Sequence, residues 1–155
     1  MSNVALQFTI PTGTQDGRHF LTPAAKSILV IDDSPTIRKI VEMALCREGY
    51  EVKSFNDGID AMKWLATPGS RIPDLVVVDI SLPKLDGYEV IRRFRANPRF
   101  ANTTCIILSR HDGVEDKLKG KSAGANAYVT KPFTIQELLA TIRTHIMGAS
   151  VNGAF

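Results

Sequence analysis

Short apolar runs that end in ionisable residues constrain the fold of this chain more than any other feature. Three of them have the length and composition of buried strands, and they cover residues 27–31, 75–78 and 127–130. The residues that follow them directly are charged: Asp32 with Asp33, then Asp79, and finally Lys131. Strands that are apolar on both faces are typical of the centre of a parallel sheet. The carboxyl ends of such strands lie at one edge, where ligands bind, so the sequence predicts that these charges meet there.

The apolar runs alternate with stretches of helical periodicity from about residue 26 to residue 147. The predicted strands span residues 27–31, 51–55, 74–78, 104–108 and 127–130. The predicted helices begin near Ser34, Asp57, Tyr88, Val114 and Thr134. Five strand–helix units in this alternation predict an α/β domain, built on a doubly wound parallel sheet with helices on both faces.

The two ends of the chain do not follow this alternation. Residues 1–25 are punctuated by proline and glycine, and we expect a mostly flexible N-terminal arm. Within this arm, residues 4–10 alternate weakly and are a candidate short strand. Residues 148–155 form a C-terminal tail that is too short for another domain. The length of 155 residues therefore fits one domain, over residues 26–147, with two extensions.

Composition and charge narrow the possible partners. The chain has a formal net charge of +3, and 23% of its residues are charged, which is ordinary for a solvated mixed surface. Four arginines cluster on the third predicted helix and just beyond it, and we interpret them as a solvated face: Arg92, Arg93, Arg95 and Arg99. We expect no nucleic-acid partner. Because no apolar run approaches a membrane span and no signal peptide is recognisable, we expect no membrane insertion and a cytoplasmic location.

The cysteines and histidines give no sign of a disulfide framework or a zinc site. Cys46 lies in a helical pattern and Cys105 in an apolar strand. We expect both to be buried free thiols, which suits a reducing compartment. The three histidines, at positions 19, 111 and 145, are not at metal-ligand spacings.

Three carboxylates and one ammonium at one sheet edge suit a Mg²⁺ ion together with a phosphoryl group. Mg²⁺ takes oxygen ligands and usually keeps several waters while it binds one or two carboxylates. A simpler interpretation is that Asp33 only caps the first helix. Two adjacent acids opposite a third one, Asp79, are more than a cap requires, so we favour the metal site.

Four sequence blocks follow one another along residues 26–147. They are Asp32-Asp33-Ser34-Pro35, residues 78–83 with Asp86-Gly87, Ile107-Leu108-Ser109, and residues 128–133. In order and spacing they resemble a response-regulator receiver domain of the chemotaxis type. The resemblance implies a flavodoxin-like fold, with five helices, five parallel strands in the order 2-1-3-4-5, and a cis peptide bond between Lys131 and Pro132. Residues 32–38 and 112–120 are also similar to those of single-domain regulators of twitching motility.

The resemblance implies a role for each charged residue at the sheet edge. Asp79 would be the phosphoacceptor, which attacks a phosphohistidine and becomes an acyl phosphate. Asp33 and Asp79 would bind Mg²⁺ through their side chains, together with the backbone carbonyl of Ser81. Asp32 would act mainly through water and by keeping the site acidic. Lys131 would pair first with Asp79 and then with the phosphoryl group.

The same resemblance predicts how a signal leaves the site. Ser109 would bond the phosphoryl group, and Tyr128 would follow it inward and reshape the face made by the fourth helix, the fifth strand and the fifth helix. Ser81 and His111 would flank the path of the attacking water and set the lifetime of the acyl phosphate. Arg110 would either fold over the site, hold the phosphoryl oxygens and lengthen that lifetime, or point to solvent and have no effect. Arg110 stands where the family usually has a small residue, so the mouth of the site would be narrower or more basic.

These features predict a signalling switch rather than an enzyme. Its partners would be a histidine kinase or phosphotransfer domain and a downstream effector protein, in pilus-type or chemotaxis-type motility control. One alternative is a metal-dependent phosphohydrolase, but such enzymes place a second Asp two residues after the nucleophile, where this chain has Ser81. The other is a docking module that has lost its phosphorylation site, but the acidic trio and Lys131 are all present.

Overall fold

A five-stranded parallel sheet forms the centre of the computed structural model, which describes residues 8–9 and 22–146. In chain order the strands are β1 (Phe8–Thr9), β2 (Thr22–Pro23), β3 (Ser27–Ile31), β4 (Glu51–Phe55), β5 (Leu75–Asp79), β6 (Thr104–Ser109) and β7 (Ala127–Thr130). The helices are α1 (Pro35–Arg47), α2 (Gly58–Ala66), α3 (Gly87–Ala96), α4 (Val114–Ala123) and α5 (Ile135–Ile146). The large sheet has the order β4-β3-β5-β6-β7, with all neighbours parallel. The predicted order of 2-1-3-4-5 for its five strands is therefore confirmed.

Side chains of the central strands alternate between two apolar cores, one on each face of the sheet. Leu29 of β3 and Val76 of β5 pack in the core shared with α2 and α3. Ile28 and Val77, their neighbours along the same strands, pack in the core shared with α1 and α5. Every residue of β3 and β5 is buried. Burial on both faces explains why these runs are apolar until their carboxyl ends.

Helix α4 covers its part of the sheet with small residues. It buries Gly120 and Ala123, while Val114 and Leu118 are 77% and 57% exposed. Small buried residues on one side and exposed apolar residues on another leave no clear amphipathic stripe. This explains why the sequence gives this helix a poor apolar periodicity.

The helix boundaries follow capping residues more closely than apolar periodicity. The sequence predicts that α3 begins near Tyr88, and the helix begins one residue earlier, at Gly87. The Asp86 side chain sets this start, because it accepts a hydrogen bond from the backbone N–H of Glu89 at 3.0 Å. A 3-10 helix (Pro98–Phe100) also follows α3, and three residues are too few to show any periodicity. Among the described residues, no helix has the length and apolar composition needed to cross a membrane.

Our interpretation of the four clustered arginines as a solvated face is wrong for Arg95, which is only partly exposed, whereas the other three arginines are exposed. Arg95 donates hydrogen bonds to the backbone carbonyls of Thr103 and Gly124, at 2.8 and 2.9 Å. Arg99 donates to the carbonyl of Ser70 at 2.9 Å. These guanidinium groups tie the end of α3 to neighbouring loops, whereas the other two arginines pair with a glutamate of the same helix.

Beyond the domain, the structure describes only one short element of the N-terminal arm. Strands β1 and β2 pair antiparallel, with Phe8 opposite Pro23 and Thr9 opposite Thr22. Strand β1 falls within residues 4–10, which alternate weakly in the sequence. The other residues of the arm before residue 22, and the tail at residues 148–155, lie outside the described residues. The expected flexibility of the arm therefore stays a prediction.

The expectation that both cysteines are buried is wrong for Cys46. Cys105 is buried in β6, but Cys46 is exposed near the end of α1. The buried residues of this helix are Val41 and Leu45. Cys46 follows Leu45 by one residue, which turns its side chain away from the core.

The two thiols should therefore differ sharply in reactivity. Burial raises the pKa of Cys105 to about 11, so near pH 8 this thiol is both shielded and protonated. We expect Ellman's reagent to modify one thiol quickly in the native protein and both in denaturant. The fast reaction should vanish in Cys46→Ser and persist in Cys105→Ser. Rapid modification of two thiols in the native protein would contradict the burial of Cys105.

Candidate functional site

The predicted site residues lie at the carboxyl edge of the large sheet. Asp79 is the last residue of β5, Asp32 and Asp33 follow β3, and Lys131 follows β7. One oxygen atom from each of the three carboxylates lies within 4.8 Å of the other two. The convergence predicted from three separated apolar runs is therefore present in the structure.

A cavity of about 850 Å³ opens at this edge. Six of the predicted site residues line it: Asp33, Asp79, Ser81, Arg110, His111 and Lys131. The other three predicted residues are buried behind the cavity: Asp32, Ser109 and Tyr128. The predicted set thus divides into groups that can touch a ligand and groups that support them.

Asp32 is fully engaged by protein groups. Its backbone N–H donates to the carbonyl of Phe55 at 3.2 Å, and its carbonyl accepts from the Arg38 guanidinium at 2.6 Å. One carboxylate oxygen accepts from the backbone N–H of Ser34 at 2.9 Å, and the other from Lys131 at 2.7 Å. Its side chain is 1% exposed. These contacts agree with a supporting role for Asp32 rather than direct contact with an incoming ligand.

Asp79 lies deeper in the cavity than Asp33 and is held on both oxygens. Oδ1 accepts a hydrogen bond from the backbone N–H of Ser81 at 2.9 Å, and Oδ2 lies 3.2 Å from Nζ of Lys131. The Asp33 side chain is exposed, and among the described residues it has no hydrogen bond or ion pair. Two carboxylates of the trio therefore face the cavity, the solvated one of Asp33 and the anchored one of Asp79.

This donor set fits Mg²⁺. All the side-chain donors are carboxylate oxygens, which a hard cation prefers, and no cysteine or histidine belongs to the cluster. The exposed position of Asp33 leaves room for the waters that Mg²⁺ retains. Asp33 and Asp79 are the residues that would hold the ion, and Ser81 lines the same cavity.

Lys131 differs from the expectation in one respect. It pairs with two carboxylates at once, and its distance to Asp32, 2.7 Å, is shorter than its distance to Asp79, 3.2 Å. Its backbone N–H also donates to the carbonyl of Ser109 at 2.6 Å. The peptide bond to Pro132 is cis, as the resemblance implies. The ammonium is thus already placed beside the predicted acceptor.

Asp86 and Gly87 belong to one of the sequence blocks that predict the site, although neither residue lines the cavity. The geometry around Gly87 explains why. A Cβ atom at Gly87 would lie 2.4 Å from the backbone carbonyl oxygen of Asp79 and 2.7 Å from Cα of Ile80. No side chain fits at such a distance. The glycine therefore lets the first turn of α3 pack directly against the end of β5, behind the acceptor.

The loop after β6 is attached to the site by hydroxyl groups. Oγ of Ser109 accepts a hydrogen bond from the backbone N–H of His111 at 3.0 Å. The hydroxyl of Tyr128 donates to the carbonyl of His111 at 2.5 Å, and the hydroxyl of Tyr88 donates to the carbonyl of Asp116 at 3.2 Å. Burial raises the pKa of Tyr88 to about 12 and also raises that of Tyr128, so both hydroxyls remain donors at neutral pH. Both ends of the segment 111–116 are therefore held by tyrosines.

Tyr88 is a residue that the sequence reasoning missed. It lies at the start of α3, and nothing in the sequence pattern indicates a partner on α4. The contact depends on how α3 and α4 pack together, which is a tertiary property.

An apolar rim beside the charged groups is the other missed feature. The same cavity is lined by apolar side chains of α1 and of the segment after β7: Ile37, Ile40, Pro132, Phe133 and Ile135. Ile40 is 45% exposed, and Met43, one turn further along α1, is 49% exposed. The signal in the sequence is a helical pattern with more apolar residues than one buried face of α1 needs.

Comparisons with known proteins agree with this geometry. Residues 28–143 match the family model of the response regulator receiver domain, and the chain belongs to this family. The chain is 41% identical over 119 residues to the protein PilG of Pseudomonas aeruginosa, which covers 77% of this chain and 86% of PilG.

Two further relatives show the range of the family. The DNA-binding dual master transcriptional regulator RpaA of Synechocystis is 40% identical over 116 residues, and this match covers 75% of the chain but 47% of RpaA. The chain thus spans about half the length of this transcriptional regulator. The receiver domain of the sensor histidine kinase PA1611 from Pseudomonas aeruginosa, solved with a magnesium ion coordinated in its active site cleft, superposes with a TM-score of 0.72. It is 30% identical, and the match covers 81% of this chain and all of that one.

Proposed function

We propose that this receiver domain is a phosphorylation switch that accepts a phosphoryl group on Asp79 and signals through contacts with other proteins. The observation that carries the proposal is the meeting of Asp33, Asp79 and Lys131 in one cavity, with an anchored carboxylate beside an ammonium. The phosphoryl donor is a phosphohistidine of a histidine kinase or phosphotransfer domain, the partner that this family uses.

The residues of the chain support each part of the transfer. A carboxylate oxygen of Asp79 forms the new bond to phosphorus while the bond from phosphorus to the donor imidazole breaks and its electron pair returns to the imidazole nitrogen. Lys131 lies close enough to pass from the carboxylate to the phosphoryl oxygens as charge moves onto the acceptor. Bound Mg²⁺ supplies positive charge that offsets the repulsion between the acidic trio and the incoming group.

We expect acetyl phosphate with Mg²⁺ to add the mass of one phosphoryl group to the wild-type protein, measured by intact-protein mass spectrometry. Asp79→Asn keeps the shape but removes the nucleophile, so the adduct should be absent. Asp112→Asn removes an exposed carboxylate from the loop at the same edge and serves as the control, with an adduct like that of the wild type. An adduct in Asp79→Asn at the wild-type rate would overturn the assignment of the acceptor.

We propose storage of the phosphoryl group rather than enzymatic turnover. A phosphohydrolase of this type needs a second carboxylic acid two residues after the nucleophile, and Ser81 stands there. Its backbone N–H binds the Asp79 carboxylate, which is a positioning contact. Arg110 and His111 line the cavity, which supports the prediction that they set the lifetime of the acyl phosphate together with Ser81.

The apolar rim supports docking of a protein donor at the same cavity. A phosphohistidine carried on a protein must bring its imidazole to Asp79, and the exposed side chain of Ile40 lines the cavity that it enters. Met43, one turn further along α1, is exposed as well. Acetyl phosphate is too small to use these side chains. The rim should therefore matter for a protein donor and not for the small one.

We expect Ile40→Ser to slow phosphotransfer from a protein donor by about tenfold or more, as loss of a central apolar contact does. The donor is a phosphorylated histidine kinase selected by profiling against the kinases of the host, and the rate with acetyl phosphate should not change. Ile72→Ser is a matched control, because Ile72 is 44% exposed but lies before β5, at the other edge of the sheet. Equal losses in both variants would show that the rim has no special role.

The face made by α4, β7 and α5 is the proposed surface for an effector protein. Ser109, at the end of β6, is bonded to the loop that leads into α4, and Tyr128 of β7 holds the same loop. A phosphoryl group on Asp79 would attract the Ser109 hydroxyl, and the loop after β6 would then favour an arrangement different from the one without the phosphoryl group. Because the phosphoryl group interacts more favourably with one of these two arrangements, it shifts the equilibrium between them. The similarity to PilG supports a place for the switch in pilus-type or chemotaxis-type motility control.

Beryllofluoride, a phosphoryl mimic, should change the amide chemical shifts of residues 110–132 in the wild-type domain. Tyr128→Phe removes the hydroxyl that binds His111, so the changes beyond residue 111 should become smaller while those at Asp79 remain. Tyr50→Phe, at a partly buried tyrosine after α1, is the control. Changes confined to residues 79–83 in the wild type would refute the coupling.

A further inference from the structure

Asp33 enters the cavity without any support for its side chain. Among the described residues its carboxylate has no hydrogen bond or ion pair, whereas Asp32 and Asp79 are each bonded on both oxygens. The direction in which the Asp33 side chain leaves the chain is therefore set by the backbone alone. Whatever fixes the peptide unit between Asp32 and Asp33 also fixes the point from which this carboxylate reaches into the cavity.

Arg38 binds that peptide unit. One terminal nitrogen of its guanidinium donates a hydrogen bond to the carbonyl oxygen of Asp32 at 2.6 Å. This carbonyl belongs to the peptide bond that ends in the nitrogen of Asp33. On the other side, the N–H of Asp32 donates to the carbonyl of Phe55 at 3.2 Å. The backbone before Asp33 is thus held from β4 and from the second turn of α1.

We infer that Arg38 is a positioning residue for the Mg²⁺ site, which orients Asp33 through the carbonyl of Asp32. The inference rests on the proposed function, because it concerns the same metal site. Arg38 is half-buried and reaches back from α1 over the loop that follows β3. Groups that hold a metal ligand without touching the metal commonly change metal affinity by about tenfold or more when they are removed.

Charge alone would give Arg38 the opposite effect. A guanidinium close to a cation site repels the cation, so its removal by itself should tighten Mg²⁺ binding. Loss of an orienting hydrogen bond should loosen it, because Asp33 would then sample positions away from Asp79. The sign of the change therefore separates positioning from simple electrostatics.

The test is a Mg²⁺ titration of the full chain, followed by amide chemical shifts, on the wild type and on variants. We expect the dissociation constant to rise roughly tenfold in Arg38→Ala. Lys39→Ala is the matched control, because it removes the same charge from the next residue, which is exposed. We expect Lys39→Ala to bind Mg²⁺ as tightly as the wild type or slightly more tightly. Equal or tighter binding by Arg38→Ala would overturn the inference.

Two further variants keep the test decisive if Arg38→Ala is unstable. Arg38→Lys keeps a charged donor and Arg38→Gln keeps a neutral one, and circular dichroism shows whether each is folded. Affinities between those of the wild type and Arg38→Ala support the hydrogen bond as the cause. If Arg38→Ala unfolds, wild-type or tighter binding by a folded Arg38→Gln overturns the inference, and weaker binding supports it.

A kinetic measurement separates this inference from the proposed function. We expect the rate of adduct formation from acetyl phosphate in Arg38→Ala to need more Mg²⁺ for half-saturation but to reach nearly the wild-type rate when Mg²⁺ is saturating. An unchanged half-saturation concentration overturns the role of Arg38 alone. A wild-type protein that binds no Mg²⁺ or forms no adduct overturns the proposed function itself.

Discussion

The two ion pairs of Lys131 are the interaction on which the site depends. Its ammonium lies 2.7 Å from Asp32 and 3.2 Å from Asp79, and the two carboxylate side chains are 1% and 8% exposed. A buried carboxylate without a cationic partner or several hydrogen bonds is strongly disfavoured. Lys131 therefore lets two acids stand side by side at the ends of β3 and β5. The third acid, Asp33, remains in contact with solvent, where a hydrated cation can reach it.

The same charged edge is linked to the rest of the domain by backbone groups rather than by further charges. Ser109 and Tyr128 bind the N–H and the carbonyl of His111, and Tyr88 binds the carbonyl of Asp116. These contacts place the loop after β6 between the acceptor and α4. Helix α4 buries only small residues, Gly120 and Ala123 among them. A helix attached in this way has few apolar contacts to lose when its first turn moves.

In this site, the residues that can contact a ligand differ from the residues that support them. The residues that line the cavity combine a charged centre with an apolar rim from α1 and the segment after β7, and this combination suits a phosphohistidine presented by a protein surface. Behind them, Asp32 and Gly87 have no surface in the cavity but fix its walls through a closed set of hydrogen bonds and a close backbone approach. Rigid support of this kind keeps the acceptor in position before the donor arrives.

The sequence by itself determined the sheet, because strands buried on both faces must stay apolar until they end, which places Asp33, Asp79 and Lys131 at one edge. It also determined the start of α1, where the Ser34 side chain caps the helix. Only the tertiary structure decided that Cys46 is exposed, that Arg95 binds loop carbonyls and that Tyr88 reaches α4. Local sequence patterns specify which face of a helix or strand is buried. The partner of a particular side chain depends instead on the packing of these elements, because packing brings distant loops within hydrogen-bond distance.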